Sequence, residues 1–144
     1  MTQTLPAQHQ ETQPGSEAQL QPQPLAERAE HRGSEKLRDR VALITGGDSG
    51  IGRATAIACA KEGAKIAIAY LNEEGDAIET CRLVEEAGSE CIRLAGDVGD
   101  EATCNRLVDA TVAYFGRLDI LVNGAGEQHP QQRLEDITAE QLER

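Results

Sequence analysis

Apolar and polar positions alternate between two patterns along the chain from residue 41 onward. Four short aliphatic-rich stretches predict strands at 41–45, 65–71, 90–95 and 118–122. Longer segments between them have helical periodicity and predict helices at 51–62, 73–87 and 100–115. A glycine directly follows each of these helices, which is typical of a helix end: Gly63, Gly88 and Gly116.

The predicted helices differ in the residues that they offer to a core. The helix at 100–115 has the clearest apolar face, with residues spaced by three or four: Cys104, Leu107, Val108, Thr111, Val112 and Phe115. On the helix at 73–87, one side is expected to carry Ile78, Cys81 and Val84. On the first helix, the small residues Ala54, Ala58 and Cys59 predict close contact with a strand.

The order of these elements predicts the fold class. Strands that alternate with helices of this length form parallel pairs, and helices cover both faces of the sheet. We therefore predict a doubly wound α/β fold of the Rossmann type at 41–144. A capping box, Thr138 to Gln141, marks the start of a further helix that the sequence does not continue. The domain is thus expected to be incomplete, cut after the fourth strand, which would be left as an exposed apolar edge.

Residues 1–40 have a different composition from the rest of the chain. They hold four of the five prolines and seven glutamines, with Leu37 as an isolated apolar residue near their end. Such a segment cannot bury enough apolar surface to form its own core. We predict an extended or disordered N-terminal tail, which could lie over the domain but is not a second domain.

The turn between the first strand and the first helix carries the candidate chemistry. Three glycines have distinct expected roles: Gly46 permits the tight turn, Gly50 leaves room for a pyrophosphate, and Gly52 lets the helix approach the sheet. The helix then begins at Ile51 and offers unpaired N–H groups to the phosphates. Asp48 and Ser49 could either cap the helix or bond the ligand. The turn therefore predicts binding of NAD(H) or NADP(H).

Two other nucleotide sites were compared with the same residues. A P-loop requires lysine and then serine or threonine after its last glycine, and the chain has Arg53 and Ala54 there. A methyltransferase-like domain usually has an acid at the end of its second strand, where this chain has Tyr70, Leu71 and Asn72. The first alternative fails and the second is disfavoured.

Charge and cysteine content restrict the partners and the compartment. The net charge of −11 argues against nucleic acid as a partner, because an acidic surface repels phosphate backbones. The apolar stretches are too short to cross a membrane, and the first residues do not resemble a signal peptide. The four cysteines lack metal-ligand spacing, so all four are predicted to be reduced, and the protein cytoplasmic.

Three motifs in succession resemble the short-chain dehydrogenase/reductase family. Thr45-Gly46-x-x-x-Gly50-x-Gly52 is similar to the family's T-G-x-x-x-G-x-G turn. Asp97-Val98 resembles its adenine-binding position, and the segment 116–126 resembles G-x-L-D-x-L-V-N-N-A-G. In the tail, Pro14-Gly15-Ser16-Glu17 and the loop at 127–130 resemble the glucose/ribitol-dehydrogenase-like and general-stress members.

This resemblance implies roles for residues beyond the glycine turn. Asp97 would accept a hydrogen bond from the adenine amino group, beside Val98, although an acid that caps its own loop is the alternative. Asn123, Ala125 and Gly126 would line the ribose and brace the fourth strand against the first. Gly124 departs from the family's usual asparagine, and we expect a weaker pocket there. The family is usually homo-oligomeric, through surfaces that are mostly absent from this chain.

The sequence leaves NAD and NADP as alternatives. An acid about twenty residues past the turn would bind a ribose 2′-hydroxyl and repel a 2′-phosphate. Asn72 stands at that position and Glu73 and Glu74 follow it, where acids also suit the start of a helix. The turn contains no lysine or arginine that would favour the phosphate.

The catalytic residues that the resemblance implies, a serine and a Tyr-x-x-x-Lys pair, are missing. The chain has only Tyr70 and Tyr114, which precede Glu74 and Leu118 by four residues. His129 lies in a Gln/Pro loop and is not expected to act as a base. Two hypotheses remain: the chain is the cofactor-binding part of an NAD(P)-dependent oxidoreductase acting on alcohols or carbonyls, or it is a complete, non-catalytic nucleotide-binding or interaction module.

Overall fold

A computed structural model describes residues 8, 10, 17–26, 30–128 and 130–143. Strands and helices alternate in the predicted order, with boundaries that differ from the expected ones by at most two residues: β1 (Val41–Thr45), α1 (Gly50–Lys61), β2 (Lys65–Tyr70), α2 (Glu74–Glu86), β3 (Cys91–Ala95), α3 (Glu101–Phe115), β4 (Ile120–Asn123) and α4 (Ala139–Glu143). Two short 3-10 helices, Glu17–Gln19 and Leu134–Asp136, had no sequence signal.

The four strands form one parallel sheet in the order β3-β2-β1-β4. After β3 the chain returns across the sheet through α3 and places β4 on the other side of β1, with Leu43 opposite Leu121. The doubly wound α/β prediction is therefore confirmed. Leu121 on β4 is 54% exposed, so β4 is the apolar edge that the sequence predicted.

Alternate residues of the strands face two separate layers of the core, as the two-residue period of a strand requires. On one face, Ile44 and Ile68 pack against Ile57 of α1 and Val84 of α2. On the other face, Leu43, Ala67 and Ala69 pack against Leu107 of α3. The sheet is thus covered on both sides, as in the predicted architecture.

The buried helix faces differ in part from those expected. On α2, Cys81 and Val84 are buried, but Ile78 is 48% exposed and Thr80 takes a buried position instead. On α1, the buried side is formed by Ala56, Ile57 and Ala60, not by the predicted trio of small residues. In both helices, the face buried against the sheet is rotated from the face that was predicted from hydrophobicity or residue size alone.

The end of the N-terminal tail is attached to the domain. Leu37 packs against the core, and its N–H donates to the Glu62 carbonyl at 2.9 Å. The Glu62 carboxylate accepts from the N–H groups of Lys36 and Ser34 at 3.0 and 2.9 Å, which lowers its pKa. Leu37 therefore attaches this segment to the domain, whereas Pro14, Gly15 and Ser16 lie outside the described residues.

Asp119 joins the starting ends of β1 and β4. Its carboxylate accepts from the N–H of Val41 at 3.0 Å and from Nε of Arg117 at 2.8 Å. The Arg117 guanidinium, together with the Val41 N–H, lowers the pKa of Asp119 to about 2. An ionised carboxylate therefore holds these two strands together over most of the pH range.

The prediction of four reduced cysteines is wrong. Cys81 on α2 and Cys91 on β3 form a disulfide, with their Cα atoms 5.2 Å apart, and Cys59 and Cys104 are free. The ten-residue separation gave no signal, because only the folded chain brings the start of β3 beside α2. None of the described helices has the length and hydrophobicity needed to cross a membrane.

Leu107→Ala should lower the free energy of unfolding by about 2–5 kcal/mol, since a buried leucine is replaced by a cavity. Val108→Ala is the matched control, because Val108 is 37% exposed on the same helix and should cost less than about 1 kcal/mol. Urea unfolding of both variants measures the difference. Equal losses would contradict the placement of α3.

The disulfide predicts a thiol count. Protein purified without reductant and alkylated in denaturant should carry two labels by mass spectrometry, on Cys59 and Cys104. After prior treatment with dithiothreitol, all four cysteines should be labelled. Complete labelling without reductant would show that Cys81 and Cys91 are not joined.

Candidate functional site

The carboxyl ends of all four strands meet at one edge of the sheet, where a cleft of about 390 Å³ opens. In doubly wound sheets, ligands bind at this edge, at the point where the strand order reverses. Here the reversal lies between β1 and β4. The loops after each strand contribute to the lining: Gly46, Asp48, Ala69, Tyr70, Leu71, Gly96, Asp97, Val98, Gly99, Ala125, Gly126, Glu127 and Gln141.

The glycine turn adopts a conformation that side chains would disturb. Gly46 has φ +63°, and a Cβ there would lie 2.9 Å from the Ala125 N atom. A Cβ on Gly52 would lie 1.9 Å from the Gly46 carbonyl oxygen, whereas one on Gly50 would meet no atom within 4 Å. The close approach at Gly52 is therefore to the turn itself, and the space beside Gly50 is open.

Thr45 joins the glycine turn to the loop after β4. Its hydroxyl oxygen accepts from the N–H groups of Gly124 and Ala125, each at 3.1 Å. The Gly124 N–H also donates to the Thr45 carbonyl at 3.1 Å. Bracing of the fourth strand against the first, which the sequence assigned to Asn123 and its neighbours, thus depends on the Thr45 side chain.

Asp97 and Val98 lie directly after β3 and line the cleft. Asp97 Oδ1 accepts from the N–H of Gly99 at 2.9 Å, so the residue does cap its own loop. This contact uses one carboxylate oxygen at the cleft wall. The alternative role weighed for Asp97 is therefore present in the structure beside its position in the lining.

Asp48 also lines the cleft, at the start of the turn. Burial raises the pKa of its carboxyl, and the neighbouring Asp76 carboxylate acts in the same direction. Ser49 is the N-cap residue of α1, but its side chain makes no capping hydrogen bond. The Ser49 side chain therefore does not play the capping role that was considered for it.

Six of the predicted residues line the cleft, and the others do not. Asn72 is exposed beyond the end of β2, where Tyr70 and Leu71 reach the cleft instead. Asn123 ends β4 opposite Thr45 and is also exposed. The remaining predicted residues lie at the end of β1, in the turn and at the start of α1, outside the lining: Thr45, Ser49, Gly50, Ile51 and Gly52.

Neither tyrosine is arranged for proton transfer with a lysine. The Tyr70 hydroxyl donates to the carboxylate of Glu74, and this hydrogen bond raises the pKa of Tyr70. Tyr114 donates to Glu90 at 2.9 Å. Each tyrosine hydroxyl is thus paired with a glutamate and not with a lysine. His129 lies outside the described residues.

Arg53 is a residue of the site that the sequence interpretation missed. It is buried in the first turn of α1 with 6% exposure. Its Nη2 and Nε donate to the Asp48 carbonyl at 2.7 and 3.1 Å, and Nε also donates to Thr80 Oγ1 at 2.8 Å. A cation at the positive end of a helix is unfavourable unless acids surround it. The position of Arg53 in the first turn of a predicted helix was therefore the sequence signal for a buried ion pair.

The chain matches known proteins along most of its length. The family model described as short chain dehydrogenase matches residues 40–144. General stress protein 39 of Bacillus subtilis (strain 168) is 56% identical over 140 residues, which cover 97% of this chain and 49% of that protein. Glucose and ribitol dehydrogenase homolog 2 of Arabidopsis thaliana is 45% identical over 150 residues, covering 100% and 52%. The chain therefore spans about half the length of these relatives.

Solved structures agree with this match. A short chain dehydrogenase from Mycobacterium paratuberculosis bound to NAD is 40% identical with a TM-score of 0.67, covering 74% of this chain and 43% of that one. A short chain dehydrogenase from Burkholderia cenocepacia J2315 in complex with NADP is 36% identical with the same TM-score of 0.67, covering 74% and 43%. The resemblance expected from the three motifs, including the general-stress and glucose/ribitol relatives, is confirmed.

Thr45→Val should destabilise the fold by about 1–3 kcal/mol, because the Ala125 N–H loses its acceptor and the Gly124 N–H loses one of its two. Thr45→Ser keeps the hydroxyl and is the control, with a loss that should be clearly smaller. Chemical denaturation of the three proteins measures both effects. If valine and serine cost the same, the hydroxyl does not brace the loop.

Proposed function

The chain belongs to the short-chain dehydrogenase family, and we propose that its cleft binds the dinucleotide cofactor of an alcohol- or carbonyl-directed oxidoreductase. The observation that carries the proposal is the cleft at the strand-order reversal, which Gly46 and Asp48 of the glycine turn help to line. When bound, the nicotinamide ring of such a cofactor accepts or donates a hydride. The residues of this chain hold and orient it.

The start of α1 suits the pyrophosphate. The first helical hydrogen bond is donated by Arg53 N to the Ser49 carbonyl at 3.0 Å, so the N–H groups of the preceding turn are outside the helical pattern. Within the described part of the chain, those of Ile51 and Gly52 meet no acceptor. Together with the helix dipole they can receive phosphate oxygens beside Gly50.

The adenosine end is assigned to residues on two sides of the cleft. Asp97 and Val98, after β3, would contact the adenine, and Ala125 and Gly126, after β4, would line the ribose. Thr45 and Asn123 would support the β4 side through the β1–β4 pairing. Asn72 is not part of the cleft lining in this structure, so it would have to contact the cofactor from outside the cleft.

We propose a preference for NAD(H) over NADP(H). Three of the lining residues are acids, Asp48, Asp97 and Glu127, and the described lining contains no lysine or arginine. A 2′-phosphate would bring further negative charge into this surface without a cationic partner. The ribose 2′-hydroxyl of NAD is neutral and has no such penalty.

Hydride transfer is proposed for the longer protein and not for these residues alone. No tyrosine of the chain has a lysine four residues later, and the chain aligns with about half of each relative. This coverage supports the hypothesis of a cofactor-binding part over that of a separate interaction module. The isolated chain should therefore show no turnover of alcohols or sugars.

A cytoplasmic location also remains a proposal. It was based on reduced cysteines and on an N-terminus unlike a signal peptide. The Cys81–Cys91 disulfide removes the first of these arguments. Fractionation of cells that express the protein would test the location directly.

Gly126→Leu should weaken NADH binding at least about tenfold, a change of about 1.4 kcal/mol. Gly126 lines the cleft, and a Cβ there would meet no atom within 4 Å, so the larger side chain would fill the cleft without a clash in the fold. Titration of NADH fluorescence measures the affinity, and NADPH should bind more weakly than NADH to the parent chain.

Ala113→Leu is the control, because it also introduces a leucine side chain. Ala113 is exposed on α3 and is not part of the cleft lining. Its variant should bind NADH as the parent does. Equal affinity of the parent and the Gly126 variant would refute the assignment of the cleft.

A further inference from the structure

Glu17 in the N-terminal tail is a buried acid in contact with the start of α1. Its side chain is 6% exposed. One carboxylate oxygen, Oε2, accepts from the N–H of Gly50 at 2.6 Å, and the other forms an ion pair with Arg53. The Glu17 N–H donates to Asp76 Oδ2 at 3.0 Å. A segment of low sequence complexity thus places one charged side chain inside the domain.

The partners of Glu17 connect it to the cofactor turn. Arg53 donates to the carbonyl of Asp48 within that turn, and Thr80 Oγ1 donates to the same carbonyl at 2.7 Å. Arg53 Nη2 also lies 3.2 Å from the Asp76 carbonyl and 3.5 Å from its carboxylate. One guanidinium therefore ties together the turn, the start of α2 and the tail.

We infer that Glu17 is a positioning residue for the dinucleotide turn. It caps α1 through Gly50, where Ser49 makes no side-chain cap, and it holds Arg53 against the Asp48 carbonyl. The inference rests on the proposed function, because it assigns the tail a role in the affinity for the cofactor.

Glu17 acts from behind the turn rather than from within the cleft. It lines a separate hollow with Arg53 and Asp76 and is not among the cleft residues. Its charge is offset by Arg53, and the N–H groups of Ile51 and Gly52 stay available for phosphate. The contact therefore occupies the Gly50 N–H and leaves the next two N–H groups of α1 for the phosphate oxygens.

The sign of the effect separates positioning from simple electrostatics. Removing a negative charge near an anionic dinucleotide should strengthen binding through the long-range field. Loss of positioning should weaken it, since Gly50 and Arg53 lose an ionised acceptor whose hydrogen bonds are the stronger kind. Glu17→Gln keeps the size of the side chain and removes the charge.

The test uses the whole chain with NADH as the probe. Glu17→Gln should raise the Kd about 5- to 10-fold, at a temperature where circular dichroism shows parent and variant fully folded. The Gly50 amide proton should also move upfield in the ¹⁵N–¹H spectrum, a signature that general destabilisation would not produce. Glu30→Gln is the control, because it removes the same charge from an exposed tail residue and should change neither measurement.

Each other outcome has a definite meaning. If the parent binds NADH and Glu17→Gln binds equally or more tightly, the inference is wrong and the proposed function stands. If Glu30→Gln weakens binding as much, a specific role of Glu17 is also refuted. If the parent binds no NADH, the proposed function fails and the cofactor role of Glu17 fails with it, while the Gly50 shift still reports whether the contact exists.

A second variant covers the case in which Glu17→Gln does not fold. Glu17→Asp keeps the charge on a shorter side chain. Its Kd for NADH should be higher than that of the parent, by less than the 5- to 10-fold rise expected when the charge is removed. Parent-like affinity together with a parent-like Gly50 shift would show that the reach of the glutamate is unimportant, which contradicts the inference.

Discussion

The Gly46 carbonyl oxygen occupies the space that any side chain at position 52 would need. This contact fixes how sharply the chain leaves β1 and how closely α1 begins behind it. Because α1 is held there, its first N–H groups face the edge of the sheet where the four strands end. The cleft, the Thr45 contacts and the burial of Arg53 all depend on that short passage from strand to helix.

A buried cation follows directly from this geometry. Arg53 comes one residue after the contact and lies inward, between the turn and α2. Taking a guanidinium out of water is costly unless acceptors and a counter-charge surround it. The Asp48 carbonyl, Thr80 and Asp76 supply part of that environment, and the tail supplies the rest through Glu17. The tail and the turn are therefore energetically connected although they are far apart in the sequence.

Local patterns in the sequence were sufficient for the elements, the fold class and the position of the turn. Strand and helix periodicities depend on nearby residues, so β1 and the capping box of α4 were located correctly; Thr138 and Gln141 make both reciprocal hydrogen bonds. Features that depend on packing were not accessible. The partner of Cys81, the burial of Arg53 and the exposure of Ile78 are decided by which elements meet, and Asn72 was placed by counting residues, whereas the end of β2 turns Leu71 to the cleft.

The pairing of β4 with β1 joins residues that are 79 positions apart at Thr45 and Gly124. Closing so long a stretch of chain costs more conformational entropy than the pairing of consecutive strands. The remainder of the sheet can form from shorter loops, through β1, β2 and β3. One wall of the cleft therefore depends on the strand pairing with the largest sequence separation in the sheet. Pairings of that kind are slow to form. In folding time, binding competence should come after the core that supports it.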